Sequence, residues 1–215
     1  MSVPGIADSN SLLSDSIGNF DELVAAGTPT PGGGSVAAYS GVLAASLGRM
    51  VCNLTIGKAK YAEVEPRVEE IAAELQRLSA RLRELIAEDA ESFEAVLRAY
   101  KLPKETDEQK AERAEHIQAA LRGAIDVPFE TAQRSFRVLD LLRELSNIGN
   151  PNALSDMAVG ARLAQVAVKG ASYNISVNLD SMSDRDAATA TQQQTKLMVE
   201  RSGTLAEEIE AKMNM

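Results

Sequence analysis

The chain has 215 residues and a formal net charge of −9, so it is long enough for one large domain with its own hydrophobic core. Its 45% of apolar residues exclude a disordered or fibrous chain, and its 4% of aromatic residues predict a core of aliphatic side chains. The acidic balance excludes a general binder of nucleic-acid backbones, which needs a basic face. The single cysteine, Cys52, excludes an intramolecular disulfide and favours a cytoplasmic location.

The N-terminal part of the sequence predicts a tail and one short helix. Residues 1–14 contain Gly, Pro and Ser without periodicity, which is typical of a loose tail. These residues do not contain a basic flank followed by an apolar run, so we expect no signal peptide. We expect a single helical domain over residues 15–215, whose first helix runs from about Ser16 to Ala26 and ends at Gly27.

The second predicted helix follows a loop rich in proline and glycine, residues 28–35, and ends near Ile56. Ser35 has the residue type that caps a helix N-terminus. The stretch from Val36 to Ile56 is the most apolar of the sequence, but its Arg49 and its many small residues favour a buried core helix over a membrane span. Small residues spaced by four allow close helix contact, either inside one subunit or between two: Ala37, Gly41 and Ala45.

A third helix is predicted from Pro66 to about Ala99, because its apolar residues alternate three and four positions apart. When this stripe is continued, Asp89 falls where an apolar residue is due. A buried carboxylate must be ion-paired, protonated or directed into a cavity. Asp89 is therefore either half of an ion pair with a neighbouring helix or a functional group. The stripe consists of Val68, Ile71, Leu75, Leu78, Leu82 and Leu85.

The second half of the sequence predicts further helices and no strand. Thr106 and Gln109 fit a capping box at the start of a fourth helix, which Pro128 should kink or restart as a fifth segment. A turn at residues 150–152 precedes another helix, and Ser183 is a candidate cap for the last one. The predicted fold class is all-α, a helical bundle with one long central helix.

Three polar residues share one face of the helix after the turn at residues 150–152. Asp156 lies near the helix start, where the helix dipole also favours a carboxylate without any functional role. Asn174 and Asn178 are one helical turn apart among alanines and valines, where they either bond to each other at an interface or contact a ligand.

Two segments could bind an anion. The loop Gly32–Ser35 opens a helix and offers backbone N–H groups to a carboxylate or phosphate, although no P-loop sequence follows and a plain flexible turn has the same composition. Lys58 and Lys60 either hold an anionic ligand or form a solvated helix end. His116 is the single histidine, which excludes His-based di-iron and triad sites, so we expect no metal centre.

Several short motifs occur in a fixed order between about Phe20 and Asp184. They are Thr30–Ala38 (TPGGGSVAA), Met50-Val51, Leu54–Tyr61 (LTIGKAKY), Glu88–Phe93 (EDAESF), Leu102–Lys104 (LPK), Ser155-Asp156 and Gly170–Leu179 (GASYNISVNL). In this order they resemble the formiminotransferase-cyclodeaminase family. More narrowly, they are similar to the cyclodeaminase half of the bifunctional enzyme and to stand-alone methenyltetrahydrofolate cyclohydrolases.

The resemblance implies an all-helical subunit that forms a homodimer and binds a tetrahydrofolate derivative between helices near the subunit contact. It implies one of two reactions. One closes 5-formiminotetrahydrofolate to 5,10-methenyltetrahydrofolate with loss of ammonia, and the other opens the methenyl compound with water to 10-formyltetrahydrofolate. Both need proton transfer and no cofactor beyond the tetrahydrofolate substrate. Glutamate formiminotransfer is not expected, and neither is a nucleic-acid or membrane partner.

Pattern and resemblance together give the expected site residues. Asp89 should exchange a proton with the reacting centre, and Asp156 should assist it or hold the amino edge of the pterin. Lys58 should polarise the leaving nitrogen or meet the glutamate tail of the folate. The alternatives to an enzyme are a folate-binding protein without turnover and a helical interaction protein. The expected substrate-binding residues are Gly32, Gly33, Gly34, Ser35, Lys60, Asn174 and Asn178.

Overall fold

The computed structural model describes residues 17–214, and every regular element in that range is helical, as the sequence predicts. Its α-helices are α1 Ile17–Ala25, α2 Gly33–Asn53, α3 Glu65–Tyr100, α4 Asp107–Ile148, α5 Leu154–Leu179 and α6 Arg185–Ala211. Short 3-10 helices cover Ala59–Tyr61, Pro151–Ala153 and Lys212–Asn214. The predicted tail at residues 1–14 lies outside the described residues.

Helix α2 is enclosed by α3, α4 and α5, because its small residues let these helices approach closely. A Cβ atom on Gly41 would lie 2.6 Å from Ser135 Oγ of α4, and one on Gly48 would lie 2.8 Å from side-chain atoms of Leu75 and Leu142. The small residues therefore serve contacts inside one subunit. Among the described helices, α2 alone is long and apolar enough to cross a membrane, and 61% of its apolar window is buried in the bundle, as expected of a core helix.

Helices α3 and α4 are antiparallel, and ion pairs mark their register on the solvent side. Three arginine–glutamate pairs join the two helices at intervals of seven residues along each: Arg67 with Glu144 (2.6 Å), Arg137 with Glu74 (2.7 Å) and Arg81 with Glu130 (2.8 Å). These pairs are partly exposed, so each contributes only about 0–1 kcal/mol. The predicted apolar stripe of α3 is buried on the opposite side, which leaves Asp89 facing the interior.

The predicted restart of the helix at Pro128 is wrong. Helix α4 continues through this residue for 42 residues in all, so the predicted fourth and fifth helices are one helix. A proline inside a helix loses one backbone hydrogen bond, and here the ring of Pro128 is buried among the neighbouring helices, where apolar burial is favourable. Because α3 has 36 residues, the bundle contains two long helices and not the single one that was predicted.

Two predicted helix caps are also wrong, because each helix begins at a residue other than the predicted one. Gly32 is the N-cap residue of α2, so Ser35 lies inside the first turn and its hydroxyl is directed at α3. Asp184 caps α6 by accepting a hydrogen bond from the backbone N–H of Ala187 at 3.0 Å, and Ser183 has a different partner. The capping box predicted at the start of α4 is confirmed.

Candidate active site

A cavity of about 120 Å³ lies at one end of the bundle, where the N-terminus of α2 meets α3, α4 and α5. The loop before α2 closes one side of it. Asp89 is the one titratable residue in its lining, and residues from three of the sequence motifs meet there. The lining consists of Pro29, Thr30, Gly32, Gly33, Gly34, Asp89, Ser92, Phe93, Ala124, Asn174 and Asn178.

Asp89 lies on α3 just beyond the buried apolar stripe. The hydroxyl of Ser35 lies 3.0 Å from its Oδ2 atom. Burial raises the pKa of the Asp89 carboxyl above its ordinary value, although the hydroxyl and the backbone N–H of Ser35 act in the opposite direction. No cation within residues 17–214 forms an ion pair with Asp89. The predicted alternative of a buried ion pair is therefore wrong, and Asp89 is a carboxylate directed into a cavity.

The N-terminus of α2 holds the Asp89 carboxylate. A Cβ atom on Gly34 would overlap Asp89 Oδ1, so only a glycine lets the carboxylate approach the α2 backbone this closely. The positive end of a helix dipole favours a negative group at this position, and the nearby backbone N–H of Ser35 acts to lower the pKa of the carboxyl. The predicted carboxylate site at the start of α2 thus binds a carboxylate of the protein itself.

Asn174 and Asn178 line the cavity from α5, and backbone carbonyl groups fix the orientation of both amides. The NH2 group of Asn174 donates to Gly170 O at 3.1 Å. That of Asn178 donates to Asn174 O at 2.9 Å and to Ala124 O at 3.1 Å. The two Oδ1 atoms accept no hydrogen bond from any residue of the range 17–214. Both side chains therefore offer acceptors to a ligand, and they do not bond to each other.

Phe93 is a lining residue that the sequence reasoning missed. It follows Asp89 by one helical turn, is 41% exposed and belongs to no apolar cluster of the described chain. An exposed phenylalanine beside a cavity is unusual in a chain with 4% aromatic residues. The sequence contained the information needed to predict Phe93 as a site residue, because residues four apart, such as Asp89 and Phe93, share a helix face.

Lys58, Lys60 and Asp156 lie at the opposite end of the bundle. The C-terminus of α2 and the N-terminus of α5 meet there, and Asn150 joins them by donating its amide to Leu54 O at 3.2 Å. The two lysines are exposed, and Asp156 is half-buried in the first turn of α5. At 1.5 Å per residue, α2 and α5 separate this end from the cavity by about 27 Å. Within one subunit, the structure does not bring these three residues to the cavity.

Other chemically reactive groups lie outside the cavity. His116 is exposed on α4, where its Nδ1 lies 2.9 Å from Glu112 O. Cys52 is buried, and burial raises the pKa of its thiol to about 11, so it is not a nucleophile at neutral pH. Residues 17–214 contain no cluster of three or more side chains that could hold a metal ion.

Helices α2 and α5 together expose apolar side chains on one side of the bundle. On each helix three of them are spaced by seven residues, so they form two parallel rows. The centres of the rows, Leu43 and Val166, are 37% and 55% exposed. This α2–α5 face consists of Val36, Leu43, Met50, Val159, Val166, Tyr173 and Val177.

Comparison with known proteins gives a consistent result. A family model described as formiminotransferase-cyclodeaminase matches residues 16–197. A methenyltetrahydrofolate cyclohydrolase from Methylorubrum extorquens is 40% identical over 195 residues, which cover 91% of this chain and 94% of that protein. A formimidoyltransferase-cyclodeaminase from Mus musculus is 37% identical over 182 residues, which cover 85% of this chain but only 34% of the mouse protein.

A solved structure agrees with these relatives. The crystal structure of a formiminotetrahydrofolate cyclodeaminase from Thermotoga maritima superimposes with a TM-score of 0.82 at 28% identity, covering 94% of this chain and 98% of that one. The match therefore extends over nearly the whole length of both chains. The chain therefore belongs to the formiminotransferase-cyclodeaminase family.

Proposed function

We propose that this protein is a folate one-carbon enzyme. It interconverts 5,10-methenyltetrahydrofolate and 10-formyltetrahydrofolate, or it forms the methenyl compound from 5-formiminotetrahydrofolate with release of ammonia. The observation that carries this proposal is the Asp89 carboxylate, which lines a cavity without a basic partner from its own subunit. The methenyl carbon between N5 and N10 carries positive charge, so an uncompensated carboxylate is complementary to it. The activities in the names of the Methylorubrum and Thermotoga relatives support the two reactions.

In the cyclohydrolase direction, water attacks the methenyl carbon and forms a C–O bond. Asp89 accepts the proton that the water loses, which leaves a neutral tetrahedral carbon bound to N5, N10 and a hydroxyl group. The C–N5 bond then breaks as N5 takes a proton back from Asp89 and the hydroxyl proton departs to solvent. The product is 10-formyltetrahydrofolate. Burial raises the pKa of the Asp89 carboxyl, so it is a stronger base than an ordinary aspartate, which suits a group that takes and returns a proton.

In the cyclodeaminase direction, N10 attacks the carbon of the protonated formimino group, and the proton of N10 passes to Asp89. The amino group on the tetrahedral carbon then takes this proton and leaves as ammonia, which yields the methenyl compound. Both routes pass through a tetrahedral carbon at the same place and use one proton-exchanging group. We propose no cofactor beyond the tetrahydrofolate substrate, and a cytoplasmic location is supported by the single cysteine of the chain.

Recognition of the folate is divided between amide and aromatic groups. The Oδ1 atoms of Asn174 and Asn178 suit the N–H groups along the pterin edge, because both amides are already fixed as acceptors. Phe93 offers an exposed ring face, which suits packing against an aromatic ring of the substrate next to the reacting carbon. Gly32 and Gly33 add backbone surface that a planar ligand can approach.

We propose that the active form is a homodimer that buries the α2–α5 face. A two-fold axis through the middle of both rows, near Leu43 and Val166, would place Val36 opposite Met50 of the partner subunit. The cavity of about 120 Å³ is smaller than the roughly 300–1,000 Å³ of ordinary ligand sites. It can therefore hold only part of a folate, and a second subunit would complete the site.

The same two-fold axis supports roles for the residues at the far end of the bundle. It would bring the partner's Lys58, Lys60 and Asp156 towards the cavity, although within one subunit they are about 27 Å away. The lining of the cavity contains no basic residue, whereas the glutamate tail of a folate is anionic. In this arrangement Lys58 polarises the leaving nitrogen or joins Lys60 at the tail, and Asp156 assists Asp89.

A turnover assay tests the function. Purified protein is given 5,10-methenyltetrahydrofolate and, separately, 5-formiminotetrahydrofolate, and the reactions are followed by absorbance and by ammonia release. Turnover of the first identifies a cyclohydrolase, and ammonia from the second identifies a cyclodeaminase. If neither compound is turned over while folate still binds, the protein is a non-catalytic folate binder.

Subunit mixing tests the shared site. Asp89→Asn and Lys58→Met subunits should each be inactive alone, because each variant damages both sites of its own dimer. After mixing, half of the dimers carry one intact site, so about a quarter of the wild-type activity should return. Leu43→Glu should give an inactive monomer by sedimentation, whereas Leu197→Glu, on the exposed side of α6, should stay dimeric. An active monomer would overturn the proposal.

A further inference from the structure

The hydroxyl group of Ser35 lies between two acceptors. Its Oγ atom is 3.0 Å from the backbone oxygen of Ile86 and 3.0 Å from Asp89 Oδ2. A serine hydroxyl has one proton to donate but can also accept. It therefore cannot donate fully to both oxygens at once, and which one it serves depends on whether Asp89 carries a proton. Ser35 is completely buried, so its hydroxyl has only these two protein acceptors, while the Asp89 carboxyl also borders the cavity.

We propose that the Ser35 hydroxyl is a positioning group that follows the proton of Asp89. When Asp89 is ionised, Ser35 donates its proton to Oδ2. When Asp89 takes a proton from the cavity side, its carboxyl becomes a weak acceptor, and Ser35 rotates its own proton to the Ile86 oxygen. The Ser35 proton has an acceptor in both states, and no heavy atom has to move.

This exchange suits a group that must take a proton and return it. Gly34 leaves no room on its side of the carboxylate, so Asp89 cannot change its orientation between the two steps. A donor that could bond only Oδ2 would be left without a good acceptor once Asp89 is protonated, which is costly for a buried hydroxyl. The Ser35 hydroxyl keeps both states accessible in the same geometry.

The other side chains around Asp89 in the described subunit have different roles or none at its carboxylate. The groups that face it from the loop before α2, from α4 and from α5 are neutral: Pro29, Thr30, Ala124, Asn174 and Asn178. On α3 itself, Ser92 donates its hydroxyl to the backbone oxygen of Asp89 at 2.9 Å, and Glu88 is held by Arg81 at 2.6 Å. Ser35 is the one side chain that bonds the Asp89 carboxylate among the described residues.

The inference rests on the proposed function for its purpose, but it can be tested without turnover. The Asp89 carboxyl is titrated by ¹³C NMR in the full-length protein, and its signal is assigned by its loss in Asp89→Asn. Ser35→Ala removes the donor to the ionised form, so the titration midpoint should rise by about one to two pH units. Ser35→Cys keeps a weak donor and should give a smaller rise.

Ser40→Ala is the matched control, because Ser40 is also buried on α2 but donates to Val36 O at 2.9 Å within its own helix. It should leave the midpoint unchanged. If Ser35→Ala fails to fold, the titration midpoint of Asp89 in Ser35→Cys tests the inference instead. An unchanged midpoint in a folded Ser35 variant overturns the inference, whether or not the enzyme is active. If the wild type turns over neither folate, the proposed function fails while the NMR result still stands. In an active enzyme, the pH–rate profile should shift by the same amount as the midpoint.

Discussion

Asp89→Asn is the most informative substitution in this protein, because it keeps the size of the side chain and removes its ability to exchange a proton. Positioned acids and bases accelerate reactions by about 10²–10⁴-fold, so turnover should fall by that factor. At about 1.4 kcal/mol per factor of ten, this corresponds to a barrier increase of roughly 3–5 kcal/mol. Folate affinity should weaken much less than turnover, because the proton moves only as the reaction proceeds.

The stability of the same variant follows from the direction of the pKa shift. Burial raises the pKa of Asp89 in the folded protein, so folding disfavours its ionised form. Its contribution to stability is thus most favourable below the unfolded pKa of about 4 and is lost as the pH rises through the folded pKa. Asp89→Asn should therefore melt at the wild-type temperature in acid. It should melt above the wild type at neutral pH.

Melting curves across this pH range, with turnover measured on the same samples, test the reasoning. Glu88→Gln is the matched control, because Glu88 is the neighbouring carboxylate and pairs with Arg81 at 2.6 Å on the solvent side. It should lower the melting temperature slightly and leave turnover normal. If Asp89→Asn were strongly destabilised and still turned over folate normally per folded molecule, Asp89 would be a structural group and not the catalyst.

Three further substitutions, two of them with a matched control, test the packing of the site and of α2. Gly34→Ala should abolish most turnover, because its Cβ atom would overlap the Asp89 carboxylate. Gly123→Ala is its control, because a Cβ atom on Gly123 would lie more than 4 Å from every neighbouring heavy atom. It should stabilise α4 by about 0.5–1 kcal/mol in denaturant titrations. Phe93→Ala should weaken folate binding by roughly tenfold in titration calorimetry, and Leu97→Ala, one turn further along α3, should not. Gly41→Leu should lower the unfolding free energy by about 1–3 kcal/mol through overpacking; a wild-type melting curve would contradict the close packing of α2.

The sequence predicted those features that depend on periodicity and local chemistry. The alternation of three and four on α3 located the buried stripe and showed that Asp89 interrupts it, because helix geometry fixes which side chains share a face. The capping box of α4 was recognisable because both of its residues are local. The restart predicted at Pro128 was wrong because burial of its ring depends on neighbouring helices. A local sequence pattern contains no information about such burial.

In the candidate site, too, the sequence predicted local features but not the contacts between distant residues. The sequence identified Asp89, Asn174 and Asn178, but it could not show that Ser35 would bind the carboxylate, because that contact joins residues 54 positions apart in the chain. It also grouped Lys58 and Asp156 with Asp89, although about 27 Å of helix separates them within one subunit. A set of motifs indicates which residues belong to one family. The distance between those residues in the folded subunit depends on the direction in which each helix runs.

The unfavourable free energy of burying Asp89 without a cation indicates that this end of the bundle has a function. A buried carboxylate without a cation destabilises a fold, and here it also requires a glycine at position 34 and fixes the hydroxyl of Ser35. A leucine at position 89 would continue the apolar stripe and would avoid all three constraints. Proteins keep such costly groups mainly at functional sites. The positive charge of a methenyl carbon would supply the missing counter-charge, so the group that destabilises the free protein would favour the bound substrate.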